Sequence, residues 1–154
     1  MSESDRKELA RMQTEALKSV LQKGDTPAGF DAGQMWRTAN VLAGKRRREA
    51  AVFIPRAAEK LGDKYIHLFD GYAAKQGYPP HGGPAEDAAG FLRFLIKSHD
   101  LPGAAIWEAL MVMARRGSRV QLHWLMGCLY VSVRRGSRVQ VWRVFAIAPR
   151  GVGK

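Results

Sequence analysis

The sequence lacks what several classes of protein require. Its 154 residues contain one cysteine, Cys128, which excludes an internal disulfide framework and a cysteine-rich zinc module. It has no run of about 18 uncharged apolar residues, so no membrane-spanning helix is expected. Residues 1–24 are charged throughout and lack the apolar centre of a secretory signal. We therefore expect a cytoplasmic protein that does not bind a membrane.

Acidic residues are scarce in the last third of the chain. The whole sequence holds 25 Lys and Arg residues against 14 Asp and Glu residues, a net charge of +11. Residues 101–154 hold nine basic residues and one acidic residue, Glu108, so +8 of this charge falls there. Such an asymmetry favours a polyanionic partner, because the field of clustered charges is long-ranged. The alternative, a charge that only keeps the protein soluble, stays open.

Motifs for catalysis and cofactor binding are also missing. The histidines are scattered and form no pair at metal-ligand spacing; they are His67, His81, His99 and His123. The pair Gly82-Gly83 follows no strand, and residues 151–154 lack the loop and following helix that a phosphate-binding loop needs. Cys128 opens an apolar pattern typical of a buried thiol. We predict a protein that is not an enzyme, with no cofactor, metal site or small-molecule substrate.

Apolar residues recur at three- and four-residue steps over most of residues 5–114. This spacing places them on one stripe of each of five or six helices. Asp31 and Gln34 have the spacing of a capping box, so a second helix should start there and run toward Lys45. Pro55 suits the first turn of the next helix. We predict a bundle of antiparallel helices joined by short connections.

The same stripes predict which side chains form the core. In the first two helices they are Leu9, Met12, Ala16, Leu17, Val20, Leu21, Met35, Trp36, Ala39, Val41 and Leu42. In the later helices they are Tyr65, Leu68, Phe69, Tyr72, Ala88, Phe91, Leu92, Leu95, Ile96, Ile106, Leu110 and Met113.

After Arg116 the period of the apolar pattern changes from 3.6 to 2. Three alternating runs rich in β-branched and aromatic residues predict strands over about residues 118–148. Gly136 lies between the last two runs, where a tight hairpin needs a positive φ. We predict an α+β fold: a helical bundle over residues 5–114, then a three-stranded antiparallel β-meander over 115–148. The meander packs on the bundle, and its apolar residues, such as those of the run from Val120 to Met126, share one core with it. Residues 149–154 form a frayed tail.

A seven-residue sequence occurs twice in this region. Residues 115–121, Arg-Arg-Gly-Ser-Arg-Val-Gln, recur as residues 134–140, an offset of 19. One interpretation is that both copies are simply turns that enter an amphipathic strand. The other is that both turns lie at one end of the sheet, because the first and third strands of a meander run in the same direction. That arrangement would gather Arg115, Arg116, Arg119, Arg134, Arg135 and Arg138.

The order of motifs over residues 10–97 resembles that of a known family. The residues that carry the resemblance are Gln13, Ala16, Lys45–Arg48, Ile54-Pro55, Leu61-Gly62-Asp63, Phe69, Tyr72, Pro79-Pro80, Phe91 and Phe94-Leu95. Together they resemble the N-terminal helical domain of the DUF2063 group, a bacterial family of unknown function for which DNA binding has been suggested. The resemblance implies a helical bundle and no catalytic residues.

Two surfaces are candidates for nucleic-acid binding. The first is the basic run Lys45, Arg46, Arg47 and Arg48, which spreads around a helix and so indicates a helix end or an exposed segment. The second is the set of six arginines in the two turns, with Trp124, Tyr130 or Trp142 nearby to stack on bases. We predict non-enzymatic binding of nucleic acid through phosphate contacts. The alternative is an accessory module that binds an acidic protein or peptide through the basic sheet.

Overall fold

The computed structural model describes residues 2–22, 29–79 and 81–146, and within them it contains six α-helices, a 3-10 turn and three β-strands. The helices are α1 (Glu3–Gln22), α2 (Ala32–Phe53), α3 (Pro55–Leu61), α4 (Lys64–Lys75), α5 (Gly83–Lys97) and α6 (Ile106–Arg116), with the 3-10 turn at Gly103–Ala105. The strands are β1 (Val120–Leu125), β2 (Cys128–Arg135) and β3 (Arg138–Ala146). The predicted α+β fold is confirmed. The predicted tail at 149–154 lies outside the described residues.

Local contacts explain where two of the helices begin. Asp31 accepts a hydrogen bond from the backbone N–H of Gln34 and so caps α2, as its spacing predicted. Pro55 occupies the first turn of α3, also as predicted. The next two backbone N–H groups, those of Arg56 and Ala57, donate to the carboxylate of Glu108 at 2.9 and 2.7 Å. The single acidic residue of the last third of the sequence is therefore used to join α3 to α6.

The core lies between α2–α6 and one face of the sheet. Its centre is an aromatic cluster with ring centroids 5.0–6.3 Å apart, formed by Tyr65, Phe69, Tyr72, Phe91 and Phe94. Leu92, Leu95 and Leu110 are completely buried beside it. The predicted inward stripes of α4, α5 and α6 are confirmed.

The predicted stripes of α1 and of the first half of α2 are partly wrong. Leu9 and Met12 of α1 are exposed, and so are Trp36 and Val41 of α2. The reason is their position: α1 packs on α2 and α4 at the margin of the helical layer, where few elements are available to cover a stripe. Ala39, in contrast, is buried as predicted.

The strands form an antiparallel sheet in the order β1-β2-β3. Met126 and Gly127 connect β1 to β2, and their φ values of 49° and 73° are those of a two-residue type I′ turn. Gly136 has a φ of 62° in the turn between β2 and β3, as predicted. The register places Leu122 opposite Val131, which in turn lies opposite Trp142.

The inward and outward faces of β1 are the reverse of the predicted ones. Gln121, His123 and Leu125 face the helices, whereas the apolar Val120 and Leu122 are exposed. The expectation that the apolar alternation of β1 joins the shared core is therefore wrong. A one-residue change of register would move every side chain of β1 to the opposite face of the sheet. The contacts of the inward side chains must therefore determine which register forms.

Hydrogen bonds explain this choice. The amide of Gln121 donates to the carbonyls of Met113 and Ser118 at 3.3 and 3.1 Å, the first in the last turn of α6 and the second just beyond that helix. The ring of His123 lies 3.4 Å from the hydroxyl of Ser132, which is buried. Gln121 and His123 of β1 thus contact polar groups beneath the sheet, and the apolar Val120, Leu122 and Trp124 remain outside.

The position of His123 predicts a pH-dependent stability. Burial lowers the pKa of His123 below its ordinary value of 6.5, so the folded protein resists protonation that the unfolded chain accepts. The stabilisation is complete above pH 6.5 and is lost as the pH falls toward the folded pKa. We expect the free energy of unfolding, measured in urea, to fall between pH 7.5 and 5.5, and to fall less in His123→Gln. The exposed His67→Gln variant should keep the wild-type dependence; equal dependence in both variants would contradict this assignment.

Candidate functional site

The basic run on α2 does not form a single surface. The helix continues to Phe53, so the run lies in its middle and not at its end. Four successive residues spread around most of the circumference of a helix, at about 100° each. Of the four side chains, that of Arg46 points into the core, and it is only 7% exposed. The expectation of an exposed basic segment is therefore wrong for this residue.

Arg46 belongs to a buried ion pair. Its Nε and Nη2 atoms donate to the two carboxylate oxygens of Asp87 at 2.6 and 2.7 Å, and Asp87 is completely buried. Nη2 also donates to the carbonyls of Gln76 and Gly77, both at 3.2 Å. The guanidinium thus joins α2, α5 and the segment after α4, and none of its charge is available to a ligand.

Aromatic rings surround this ion pair. The guanidinium carbon lies 5.9, 5.6 and 5.5 Å from the ring centroids of Phe69, Tyr72 and Tyr78. The hydroxyl of Tyr72 donates to Asp87 at 3.0 Å, and burial followed by the charge of Asp87 raises its pKa well above the ordinary value. Burial alone would lower the pKa of Arg46, but the hydrogen bonds and charge of Asp87 outweigh it and raise that pKa. The cluster is therefore a buried ion pair in which Asp87 neutralises the charge of Arg46 within the core.

The other three residues of the run are only partly available. Arg47 donates to Asp70 at 2.7 Å, and Lys45 lies 3.7 Å from the carboxylate of Glu49. Arg48 is exposed. The run therefore presents separated cations, and three of its four lie beside carboxylates.

The two repeated turns, in contrast, lie together at one end of the sheet. The backbone N–H of Arg134 donates to the carbonyl of Arg119 at 2.7 Å, and Arg135 lies opposite Arg138. The side chain of Arg134 donates to the carbonyls of Arg115 and Gly117, both at 3.2 Å, and so connects one copy of the repeat to the other. We call this region the arginine end; it contains Arg115, Arg116, Arg119, Arg134, Arg135 and Arg138.

The six arginines of this end differ in availability. Arg116 lies 3.3 Å from the carboxylate of Glu86, and Arg134 is engaged by the two carbonyls. The other four are exposed and form no ion pair with any residue that the structure describes; they are Arg115, Arg119, Arg135 and Arg138. The arginine end therefore carries a local positive charge that the rest of the described chain leaves uncompensated.

The side of the sheet that faces away from the helices is apolar, and we call it the outer face. It is formed by Val120, Leu122 and Trp124 of β1, Leu129, Val131 and Val133 of β2, and Gln140 and Trp142 of β3. On the two edge strands Val120, Leu122, Trp124 and Trp142 are exposed by 57, 69, 53 and 46%. The residues of the central strand are half-buried between them. Sequence reasoning missed this surface because it assigned the apolar residues of β1 to the core.

The aromatic residues proposed for stacking are divided between the two sides of the sheet. Trp124 and Trp142 lie on the outer face. Tyr130 is buried on the opposite side, with its ring edge-on to Trp107 at 5.9 Å, so it cannot stack on a base. Burial raises the pKa of Tyr130, so its hydroxyl stays protonated at neutral pH.

An apolar groove of about 340 Å³ lies at the C-terminal end of β1, away from the arginine end. Ile96 and Leu101 line it from the end of α5 and the following loop, and Trp124 and Met126 from the first hairpin.

Across the residues that the structure covers, no group of three or more His, Cys, Asp or Glu side chains is arranged to hold a metal ion. No helix in the same ranges has the length and apolar character to cross a membrane.

These elements define an α+β protein in which a helical layer carries a small sheet with a basic end. Residues 10–97 match the family model described as SCO6045-like, C-terminal domain, and the chain belongs to this family. The match identifies this family and not the DUF2063 group, although it covers the residues that resemble that group. It runs from within α1 to the end of α5, so α6 and the sheet lie outside it. Comparison with curated proteins and with solved structures gives no significant match.

Proposed function

We propose that the protein binds nucleic acid without catalysing a reaction, and that the arginine end contacts the phosphates. The observation that carries the proposal is the meeting of the two turns, through the hydrogen bonds of Arg134 to the carbonyls of Arg115 and Gly117. Guanidinium groups suit this task because each presents a planar set of donors that matches two phosphate oxygens. The excess of eight positive charges in residues 101–154 supports the proposal, which keeps the expected cytoplasmic location.

The dimensions of the arginine end suit a short stretch of nucleic acid. Neighbouring strands lie about 4.8 Å apart, so the ends of three strands span roughly 10 Å. Duplex DNA carries one negative charge per about 1.7 Å of its axis, so several phosphates lie within reach of such a span. Lys45 and the rest of the basic run are left out of the proposal, because Arg46 is buried and Arg47 is paired with Asp70.

The dependence of binding on salt tests this proposal. Four phosphate contacts predict a slope of about −3.6 in a plot of log affinity against log salt, which is roughly a 100-fold loss between 50 and 200 mM. We expect this slope for a fluorescent 20-base-pair duplex titrated with the protein and followed by anisotropy. In Arg115→Gln/Arg119→Gln the slope should be shallower by about 2.

A matched variant separates local contacts from total charge. Lys45→Gln/Arg48→Gln also removes two exposed positive charges, but it removes them from α2. We expect it to keep the wild-type slope. If both double variants weaken binding to the same extent, the arginine end has no special role, and the attraction comes from the net charge alone.

A further inference from the structure

The outer face is an exposed apolar surface that phosphate binding does not use. A contiguous exposed apolar patch with a polar or charged rim is the kind of surface at which soluble proteins bind partners. Three strands about 4.8 Å apart and five residues of about 3.3 Å each give a face whose backbone measures roughly 10 Å across the strands and 17 Å along them. Leu122 stands at its edge with 69% of its surface exposed, and Trp142 with 46%.

We infer that the outer face is a docking site for an amphipathic α-helix of a partner protein that carries acidic residues at one end. The acidic end lies over Arg135 and Arg138, and the apolar stripe of the helix covers Leu122, Val131 and Trp142. This inference goes beyond nucleic-acid binding and does not depend on it, because it rests on the apolar outer face and shares only Arg135 and Arg138 with the arginine end.

The other side of the same sheet shows what size of helix fits. There α6, with 11 residues, crosses and contacts all three strands. A helix with its side chains is about 10–12 Å wide and rises 1.5 Å per residue, so about 12 residues match the length of the outer face. A partner helix would complete a three-layer arrangement in which both faces of the sheet are covered.

The charge of the face selects the chemistry of the partner. Arg134 points to the helical side, so Arg135, the next residue of β2, projects on the outer side, and Arg138 lies opposite it. Both are exposed and form no ion pair within the described chain. Carboxylates at one end of a partner helix would compensate these two charges at the border of the apolar surface.

A second copy of the chain does not meet this requirement. Residues 101–154 contain one acidic residue, Glu108, and its carboxylate is engaged by the start of α3. Two outer faces in contact would therefore offer no carboxylate to Arg135 or Arg138. The face is also small for a stable dimer, which needs about 800 Å² from each partner.

The groove beside Trp124 gives the docked helix a direction. It opens at the end of the sheet away from the arginine end, and Trp124 belongs both to its lining and to the outer face. A bulky apolar side chain at the far end of the helix would fill it. We therefore expect a partner helix with acidic residues at one end and a bulky apolar residue at the other.

A selection experiment with the full chain tests this inference. The probe is a display library of 14-residue helical peptides with randomised stripes and ends. We expect the selected peptides to share an apolar stripe with acidic residues at one end. Leu122→Asn/Val120→Thr should weaken their binding at least tenfold, and Arg135→Gln/Arg138→Gln should weaken it severalfold. Both Leu122 and Val120 are exposed, so thermal unfolding of that variant should match the wild type.

The controls separate this inference from the proposed nucleic-acid binding. Arg115→Gln/Arg119→Gln should leave peptide affinity unchanged while it weakens duplex binding, and Leu122→Asn/Val120→Thr should do the opposite. Selected peptides without acidic ends, or peptides that bind Leu122→Asn/Val120→Thr as well as the wild type, would overturn the inference. The inference would also be overturned if the protein formed a dimer in light scattering and the dimer required Leu122. It would be overturned equally if the protein sedimented with phosphatidylserine vesicles and this binding required Leu122.

Discussion

Replacement of Arg46 by alanine is expected to lower the free energy of unfolding by about 3–5 kcal/mol, measured by urea denaturation. The cost is large because the carboxylate of Asp87 would remain completely buried without its cation. The carbonyls of Gln76 and Gly77 would lose a donor as well. Arg47→Ala is the matched control, since the pair of Arg47 with Asp70 is partly exposed and is worth about 0–1 kcal/mol.

Arg46→Lys should not restore this stability. A lysine ammonium is a point charge, whereas the guanidinium of Arg46 donates to both oxygens of Asp87 and to two carbonyls at once. Removal of both charges in Arg46→Met/Asp87→Leu is expected to cost less than either single change, because no uncompensated charge is left in the core. Additive effects of the two single changes would show that the pair is not coupled.

The Arg46→Ala variant also tests whether Arg46 has only a structural role or contacts phosphates as well. Arg46 is buried, so its loss removes no contact that a nucleic acid could make. At a temperature where Arg46→Ala is folded, the salt slope of duplex binding should equal that of the wild type. A slope shallower by about 1 would place Arg46 among the phosphate contacts instead.

The helices and the meander could be predicted because their signals are local. The inward residues of α4–α6 follow from three- and four-residue spacing, and Gly136 identifies the turn between two alternating runs. The meeting of the two arginine turns follows from the same topology. Each of these features depends on neighbouring residues or on strand order, and both can be deduced from one sequence.

The inward face of β1 could not be predicted in the same way. An alternating pattern shows that two faces exist, but it does not show which one is inside when both contain groups able to pack. Gln121 and His123 face inward because they contact carbonyls at the end of α6 and the hydroxyl of Ser132. These partners lie on other elements, so the alternation within β1 does not reveal them. The outer face, and the inference drawn from it, therefore appear only in three dimensions.

The burial of Arg46 had a signal that charge counting overlooks. Arg46 lies four residues before Ala50, and Asp87 four residues before Phe91, so each charge sits on the buried stripe of its helix. Opposite charges on two apolar stripes indicate an internal ion pair. Within the run of four cations this signal was hidden, because the run as a whole is typical of a surface.

Replacement of Gly90 by alanine is expected to lower the free energy of unfolding by about 1–3 kcal/mol, although alanine favours helices. A Cβ atom on Gly90 of α5 would collide with the hydroxyl of Tyr72 and lie 3.2 Å from its Cζ atom. The ring cannot move aside freely, because the hydroxyl donates to Asp87 and the ring packs against Phe69. Gly71→Ala in α4 is the control: nothing lies within 4 Å of its Cβ, so it should gain about 0.5–1 kcal/mol.

A second substitution identifies the cause of the expected loss. Tyr72→Phe removes the hydroxyl that meets the new Cβ, and alone it should cost about 1 kcal/mol for the lost hydrogen bond to Asp87. In this background Gly90→Ala should be much less destabilising, so the two changes together cost less than their sum in urea denaturation. Strict additivity would mean that α5 and α4 separate to accept the methyl group. The packing of Tyr72 around the buried ion pair would then be looser than its hydrogen bonds indicate.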